Sequence, residues 1–541
     1  MNKIDYDSIG LELGSNKQIT DDNYNKDLAV KCRNGTFVGT KIEDVLSWKG
    51  IPFAKPPIGK LRFKPPQKVD DSDLIYESYN YGKKPILTTV LSNTEENSED
   101  CLYLNIFTGD NKIENKAVMV WIHGGGFIIE SASSEDYRGD TFAKIHPDVI
   151  LVTIEYRLGL FGFSCFEDIE GGEEFKGSVN NGIRDQIMAL KWINENIEQF
   201  GGDKNNITIF GESAGAISAS LLPIIDDAKG LFQKAIIQSG TPNCAHHNKK
   251  LSKKAVAKVC ELFNCKNMND LQKIDINEII KHTDELDEAC SQYSPMGDDI
   301  LIPKNPLKAY EEGKASDVKI IVGYNANECR YYLKNAINGD EKGTENSFKP
   351  WMEYCYNTIK SEMDEKSIEI AEDFIKNNEK SETYSIEELM SEMSFGIGTR
   401  ALADASSKTA DTYLYFFEYP NKPYPTGPAH GCEIPIIFNK DNLCNKVGNF
   451  EKLKKQMGEI WISFAKNGVP TLNGKEINKY NSANKKVIVF NEKGNTEIKE
   501  DYFKKIDEKL KPLLKYEPIA IATNFTSPAS QREKYIDGEI Y

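Results

Sequence analysis

The hydrophobic positions of this chain fall into short dense runs separated by stretches of helical period. Ala117–Ile122, Val149–Tyr156, Ile207–Phe210, Lys234–Gln238, Lys319–Gly323 and Thr412–Glu418 are β-branched and aromatic with few polar breaks, and Asp100–Phe107 and Val487–Phe490 read the same way. Runs of this kind predict strands covered on both faces. Between them, Asn181–Phe200 carries Ile183, Ile187, Leu190, Ile193 and Ile197 at helical spacing. Ala214–Leu222 is a helix of small residues with an apolar face, and Phe450–Asn467 is a C-terminal helix. Strands alternating with helices predict an α/β protein with a large, mostly parallel central sheet and helices on both sides. Tyr331–Arg400 is helical by pattern and lies between two strands, so it is expected to be a helical cap insertion at about residues 331–400. Residues 1–30 are expected to be a polar lead-in, and residues 31–541 a single domain. Leu28–Val38 predicts a hairpin turning at Asn34-Gly35. Trp48–Gly59 contains Pro52, Pro56 and Pro57, which exclude a helix and predict an extended path over the surface.

Composition narrows the function without naming it. The chain has 541 residues, 39% of them hydrophobic, enough for a large core. A net charge of −16 argues against nucleic acid and anionic membranes as partners. Met1–Thr20 has no apolar run, and no later run reaches membrane-spanning length. The eleven cysteines are scattered, with no CxxC pair or Cys/His cluster. No metal and no cofactor are expected, and the thiols read as those of a cytoplasmic protein. The sequence does not fix an oligomeric state.

The chemistry starts at Gly211-Glu212-Ser213-Ala214-Gly215, between the strand Ile207–Phe210 and the helix that follows. A serine between strand and helix, with glycine two residues to either side, is a nucleophile elbow: the turn is too sharp for flanking side chains, and it presents the hydroxyl at a helix N-terminus. Alone the motif is weak, because a serine nucleophile needs a base, an acid and an oxyanion hole. The hole is the strongest companion. Val118–Ile122 runs into His123-Gly124-Gly125-Gly126-Phe127, where backbone N–H groups of Gly125 and Gly126 join that of Ala214 as donors. The base is one of six histidines. His123 and His146 precede the serine, His246 and His247 follow the strand ending at Gln238 too closely to leave room for an acid and another strand, and His282 sits in a charged helical pattern. His430, in a loop after the last strong strand, remains. The acid lies between Ser213 and His430, and Glu328, in the loop after Lys319–Gly323, fits. The reading of Glu328 as a solvated loop carboxylate stays open on these grounds.

At this point the chain resembles the type-B carboxylesterases, which include the cholinesterases, over about Gly35 to Pro470. The resemblance rests on Lys49-Gly50-Ile51-Pro52-Phe53-Ala54, Leu61-Arg62-Phe63, Ser98–Asn105, His123–Phe127, Tyr156-Arg157-Leu158-Gly159, Asn181–Gln186, Phe200-Gly201-Gly202-Asp203, the elbow, Asn327-Glu328 and His430-Gly431, in that order. It implies an α/β-hydrolase fold, a Ser213–Glu328–His430 triad and hydrolysis of small-molecule neutral esters through an acyl-enzyme. A related amidase or thioesterase, or an inactive family member that only binds, are the rival readings. It also implies ion pairs Arg62–Glu99 and Arg157–Asp185. Phe127, Glu212 and His246 are expected at the substrate pocket, His246 standing where cholinesterases resemble it with a tryptophan. Leu91 stands near the place of their cation-binding tryptophan. Secreted members bridge the cysteine matching Cys101 to one shortly upstream and the cysteine matching Cys265 to one about ten residues on, and here neither partner is present; Cys260 is close to Cys265 but could bond to it along a helix only with strain. Because the base must be neutral to work, the rate is expected to fall on acidification with a pKa near ~6–7.

Overall fold

The computed structural model describes residues 16–88, 93–111, 113–245, 249–287, 293–333, 341–422 and 426–525. Eleven strands form the main sheet: β1 (Thr40–Ile42), β2 (Val45–Pro52), β3 (Tyr103–Gly109), β4 (Lys116–Ile122), β5 (Val149–Ile154), β6 (Gly202–Glu212), β7 (Lys234–Gln238), β8 (Lys319–Asn325), β9 (Thr412–Phe417), β10 (Val487–Phe490) and β11 (Thr496–Lys499). Their order is β11-β10-β9-β8-β7-β6-β4-β5-β3-β2-β1. From β5 across to β10 every pairing is parallel, and the outer strands are antiparallel. This is the α/β-hydrolase fold. The helices that matter below are α1 (Asn181–Asn196), α2 (Ala214–Leu221), α3 (Lys249–Leu262), α4 (Glu341–Lys360), α5 (Glu365–Lys376), α6 (Glu382–Ser391), α7 (Ile397–Ser406), α8 (Phe450–Asn467) and α9 (Glu517–Phe525).

The dense apolar runs follow from two-sided burial. Along β4, Val118, Val120 and Ile122 face one core with Ile183, Ile187 and Leu190 of α1, while Met119 and Trp121 face the other with Leu453, Met457 and Trp461 of α8. Both faces are dry, so no polar alternation survives. A third cluster joins Phe348, Trp351 and Cys355 of α4 to Leu389 of α6 and to Leu510 and Leu513 near the C-terminal end. Helices α4 to α7 therefore form the helical segment between β8 and β9. Leu402 and Ala403 of α7 belong to the sheet's own core, and α7 ends at Ser406.

Three local readings change. The first part of the expected surface path Trp48–Gly59, Trp48–Pro52, instead belongs to strand β2, with Trp48 4% and Ile51 0% exposed. Its proline is tolerated because it closes the strand, and a bulge between Trp48 and Ile51, with Gly50 at φ +69°, bends the chain there. Cys32 pairs with Gly35, so the first hairpin turns at Arg33-Asn34, one residue early. β3 starts at Tyr103, because Cys101 and Tyr103 close tight turns onto the carbonyls of Glu99 and Cys101.

Candidate active site

The elbow sits where β6 ends and α2 begins. Ser213 has φ 56° and ψ −121°, outside the regions an L-residue ordinarily adopts. Its N–H donates to the carbonyl of Gln238 at 2.9 Å, tying the turn to β7. A Cβ on Gly215 would lie 2.0 Å from the carbonyl oxygen of Ile122, and one on Gly211 2.6 Å from that same atom. Backbone is what they would strike, so neither position admits a side chain. Ser213 remains half-buried between buried Glu212 and Ala214.

The glycine loop after β4 lies beside it. Gly125 and Gly126 have φ +87° and +60°, and a Cβ on Gly125 would stand 2.3 Å from the carbonyl oxygen of Ile129. No hydrogen bond from the N–H of Gly125 or Gly126 to another backbone group occurs among the described residues. Ala214 is the first residue of α2, whose opening N–H groups have no intrahelical acceptor. Burial holds the His123 imidazole down to about 3, so the ring is neutral and donates from Nδ1 to the Gly124 carbonyl at 3.1 Å. The ring stacks on Tyr156, whose hydroxyl donates to the His123 carbonyl at 2.8 Å. This brace sets the loop. Phe127, at φ +66°, is 2% exposed and packs its ring on Phe163.

His430 and Glu328 meet through two loops that follow β9 and β8. The His430 N–H donates to the Glu328 carbonyl at 3.3 Å, the Asn327 N–H to the Pro428 carbonyl at 3.1 Å, and the Asn325 amide to the Ala429 carbonyl at 2.9 Å. These bonds place His430 Nδ1 2.6 Å from Glu328 Oε2. The other Glu328 oxygen accepts from the Ser239 hydroxyl at 2.5 Å and the Asn325 N–H at 2.7 Å. Glu328 is fully buried, so it is a fixed acceptor and not a solvated loop carboxylate. On the far side of the imidazole, His430 Nε2 lies 3.2 Å from Glu212 Oε1, the residue next to Ser213. Phe395, in a π-helical turn over Glu392–Gly396, stacks on one face of the imidazole with centroids 4.8 Å apart. With one face covered and Nδ1 held, the ring has a single orientation.

Electrostatics around this ring are unusual. Burial works against protonation of His430, but the carboxylates of Glu212 and Glu328 outweigh it and push the imidazole up to about 9. Burial pushes Glu212 up to about 8, with the His430 charge opposing and Glu433, Glu328 and Glu130 adding to the rise. At 3.2 Å from each other, the two groups titrate as a coupled pair. Glu433 lies behind, its oxygens accepting from the Gln238 amide at 3.0 Å and the Asn325 amide at 2.6 Å, and burial raises it too.

Of the residues expected from sequence, Ser213, Glu212, Ala214, Gly125, Gly126, Phe127, Glu328 and His430 gather at the C-terminal ends of β4, β6, β8 and β9. His246 and Leu91 lie outside the described residues. The sequence did not signal Asn325, Glu433 or Phe395. Ser239 could have been found: Gln238-Ser239-Gly240 is a polar break directly after an apolar strand, and such breaks at strand ends often carry function. Glu517 was missed as well. The first residue of α9, it is fully buried and accepts from the Thr241 hydroxyl at 2.8 Å and the Asn243 amide at 2.9 Å, directly after Ser239-Gly240. Both implied ion pairs are present, Arg62–Glu99 at 2.6 Å and Arg157–Asp185 at 2.7 Å. Cys101 and Cys265 are free thiols. Among the described residues no cluster of His, Cys, Asp and Glu is arranged to hold a metal ion.

Comparison with known proteins points to one family. The model of the carboxylesterase family matches residues 26–508. The para-nitrobenzyl esterase of Bacillus subtilis is 34% identical over 460 residues, covering 82% of this chain and 90% of that protein. Carboxylesterase 1E of Rattus norvegicus is 32% identical over 484 residues, covering 80% and 83%. The solved carboxylesterase EST55 of Geobacillus stearothermophilus superposes with a TM-score of 0.77 at 31% identity, covering 89% of this chain and 99% of that one.

Proposed function

The chain belongs to the carboxylesterase family, the type-B group that also contains the cholinesterases, and is a carboxylic ester hydrolase; from that premise we propose that Ser213, His430 and Glu328 carry out the reaction. His430 takes the Ser213 proton as the hydroxyl attacks the ester carbonyl, and Glu328 holds the imidazole tautomer and stabilises the imidazolium. The N–H groups of Gly125, Gly126 and Ala214 receive the oxyanion. The proton then goes to the leaving alcohol, and water releases the acyl group by the same steps in reverse. The observation that carries this reading is the 2.6 Å contact between His430 Nδ1 and Glu328 Oε2, with Nε2 turned toward the residue beside Ser213. The test is labelling with a fluorophosphonate. The stable adduct is expected on Ser213 alone, and an adduct on another serine that survives Ser213→Ala would refute the assignment.

Glu212 gives this base an adjustable pKa. An anion facing His430 favours the imidazolium, and the imidazolium cannot accept a proton. The acid limb of kcat/KM is therefore expected above the ~6–7 that the sequence suggested. Glu212→Gln removes that anion, so the limb moves to lower pH, by about one unit or more. A pH profile of the variant on a neutral ester checks this; an unmoved limb would mean that Glu212 does not set the base.

The preferred substrates are neutral esters of short to medium acyl chain. No tryptophan lies between Trp48 and Trp121, so the cation-binding indole of the cholinesterases has no counterpart there. The kcat/KM for butyrylcholine is expected not to exceed that for a neutral butyrate ester matched in size and leaving-group pKa. A preference for the choline ester of about tenfold, or roughly 1.4 kcal/mol, would contradict this. The free state of Cys101 and Cys265 supports a reducing, cytoplasmic setting, and among the described residues no helix is long and apolar enough to cross a membrane. Helices α4 to α6 act as a cap on a single catalytic domain, supported by Phe395, which reaches the imidazole from the turn that ends them.

A further inference from the structure

Cys260 and Cys265 flank the C-terminus of α3. Along a continuing helix, residues five apart stand about 140° apart around the axis and ~7.5 Å apart along it, so their thiols would not meet. The helix instead stops between them. The Cys265 N–H donates to the Cys260 carbonyl at 2.9 Å, the Asn264 N–H donates to the Glu261 carbonyl at 3.2 Å, and Asn264 is left-handed at φ 50°. This is a Schellman closure, with Cys260 at the third position from the helix end and Cys265 at the second position past it. Side chains at those two places characteristically touch. The backbone bond between them holds the two residues close together, as a disulfide requires. Both side chains rest on the same apolar cluster. Of the nine described cysteines, only these two and Cys444 are not buried.

We infer that Cys260 and Cys265 form a redox-active dithiol that low-molecular-weight disulfides close into a disulfide across the end of α3. The step balances without further reactants. The Cys265 thiolate attacks one sulfur of the small disulfide and expels its other half as a thiolate. The Cys260 thiolate then attacks the Cys265 sulfur, forms the protein disulfide and expels the second half. Two protein thiols are oxidised, and one small disulfide is reduced to two small thiols. Burial raises Cys260 to about 11, with a charge on Cys265 adding to the rise, and burial raises Cys265 as well. Closure is thus slow at neutral pH and faster in alkali. The bond would secure the corner where the Arg62 guanidinium donates to the carbonyls of Gln272 at 3.1 Å and Ile274 at 2.6 Å, just beyond the closure.

Trypsin releases both cysteines in one peptide, Val259–Lys266. Folded protein is treated with oxidised glutathione at pH 8, quenched with iodoacetamide and digested without reduction. The expected peptide carries no label and is two hydrogens lighter than its dithiol form. Chymotryptic cutting after Phe263 leaves its halves joined, and dithiothreitol restores two alkylatable thiols. In Cys260→Ser, where the second attack is impossible, the peptide is expected to retain one glutathione. A wild-type peptide bearing two iodoacetamide labels, or one that keeps glutathione without closing, would overturn the inference.

Discussion

Ser213→Ala is expected to lower kcat on a neutral ester by about 10⁴-fold or more, roughly 5.5 kcal/mol of transition-state stabilisation. His430→Ala should fall comparably, and the double variant little further, because serine and base act as one unit. The expectation follows from what alanine leaves behind. The Gly125, Gly126 and Ala214 N–H groups remain, so residual catalysis comes from the hole and from binding. Alanine and serine suffer alike at φ 56°, since both carry a Cβ, and the Ser213 N–H still reaches the Gln238 carbonyl. Stability should therefore hold, and the loss should appear in kcat and not in the folded fraction. Glu328→Ala is expected to lose less, because the Phe395 stack still orients the imidazole. Steady-state rates on protein of verified circular dichroism make the measurement. Near-normal turnover by folded His430→Ala would remove it from the mechanism.

The largest expected loss of stability lies away from the serine. Arg157→Ala should destabilise the fold by about 3–5 kcal/mol. The guanidinium makes a two-pronged pair with Asp185, Nε to Oδ2 at 2.8 Å and Nη2 to Oδ1 at 2.7 Å, and its Nη1 donates to the Lys64 carbonyl at 2.8 Å. The two side chains are 3% and 0% exposed. Burial raises the Asp185 carboxyl, and Arg157 is what opposes that rise. Without the arginine a buried carboxylate keeps only the Arg157 backbone N–H, at 3.0 Å. Native protein must then take up a proton that the unfolded chain does not hold at neutral pH, so the variant is expected to regain stability as pH falls below the raised Asp185 value toward the ordinary aspartate range. Replacing both partners, Arg157→Met with Asp185→Leu, should be milder than Arg157→Ala alone, since no orphan charge remains. Urea midpoints of the three proteins decide it; a double variant weaker than the single would show that the pair contributes more than mutual neutralisation.

The sequence was informative where one physical demand writes one pattern. Two-sided burial gives dense apolar runs, and β7, β10 and α8 begin and end where their side chains predict. A backbone that must approach another backbone admits only glycine, so Gly211, Gly215 and Gly125 were legible. What failed depends on distant partners. Glu433 and Glu517 are ordinary glutamates locally, and their burial is decided by Gln238, Asn325, Thr241 and Asn243, far away in the chain. The stretch into Pro52 was placed on the surface because three prolines suggested an exposed extended path, whereas Pro52 closes a buried strand. The base's high pKa could not be read either, since it arises from two carboxylates that only the loop contacts bring to His430.

Glu517 bears on the order of synthesis. Its carboxylate supports the stretch just after Ser239-Gly240, and Gly398 leaves it so little room that a Cβ there would stand 1.7 Å from Oε1. A nascent chain therefore emerges with its nucleophile strand complete long before this support exists. At about 5–20 residues per second, the roughly 300 residues from Ser213 to Glu517 take some ~15–60 s to translate. During that interval Thr241 and Asn243 are without the Glu517 carboxylate that accepts from them in the folded protein.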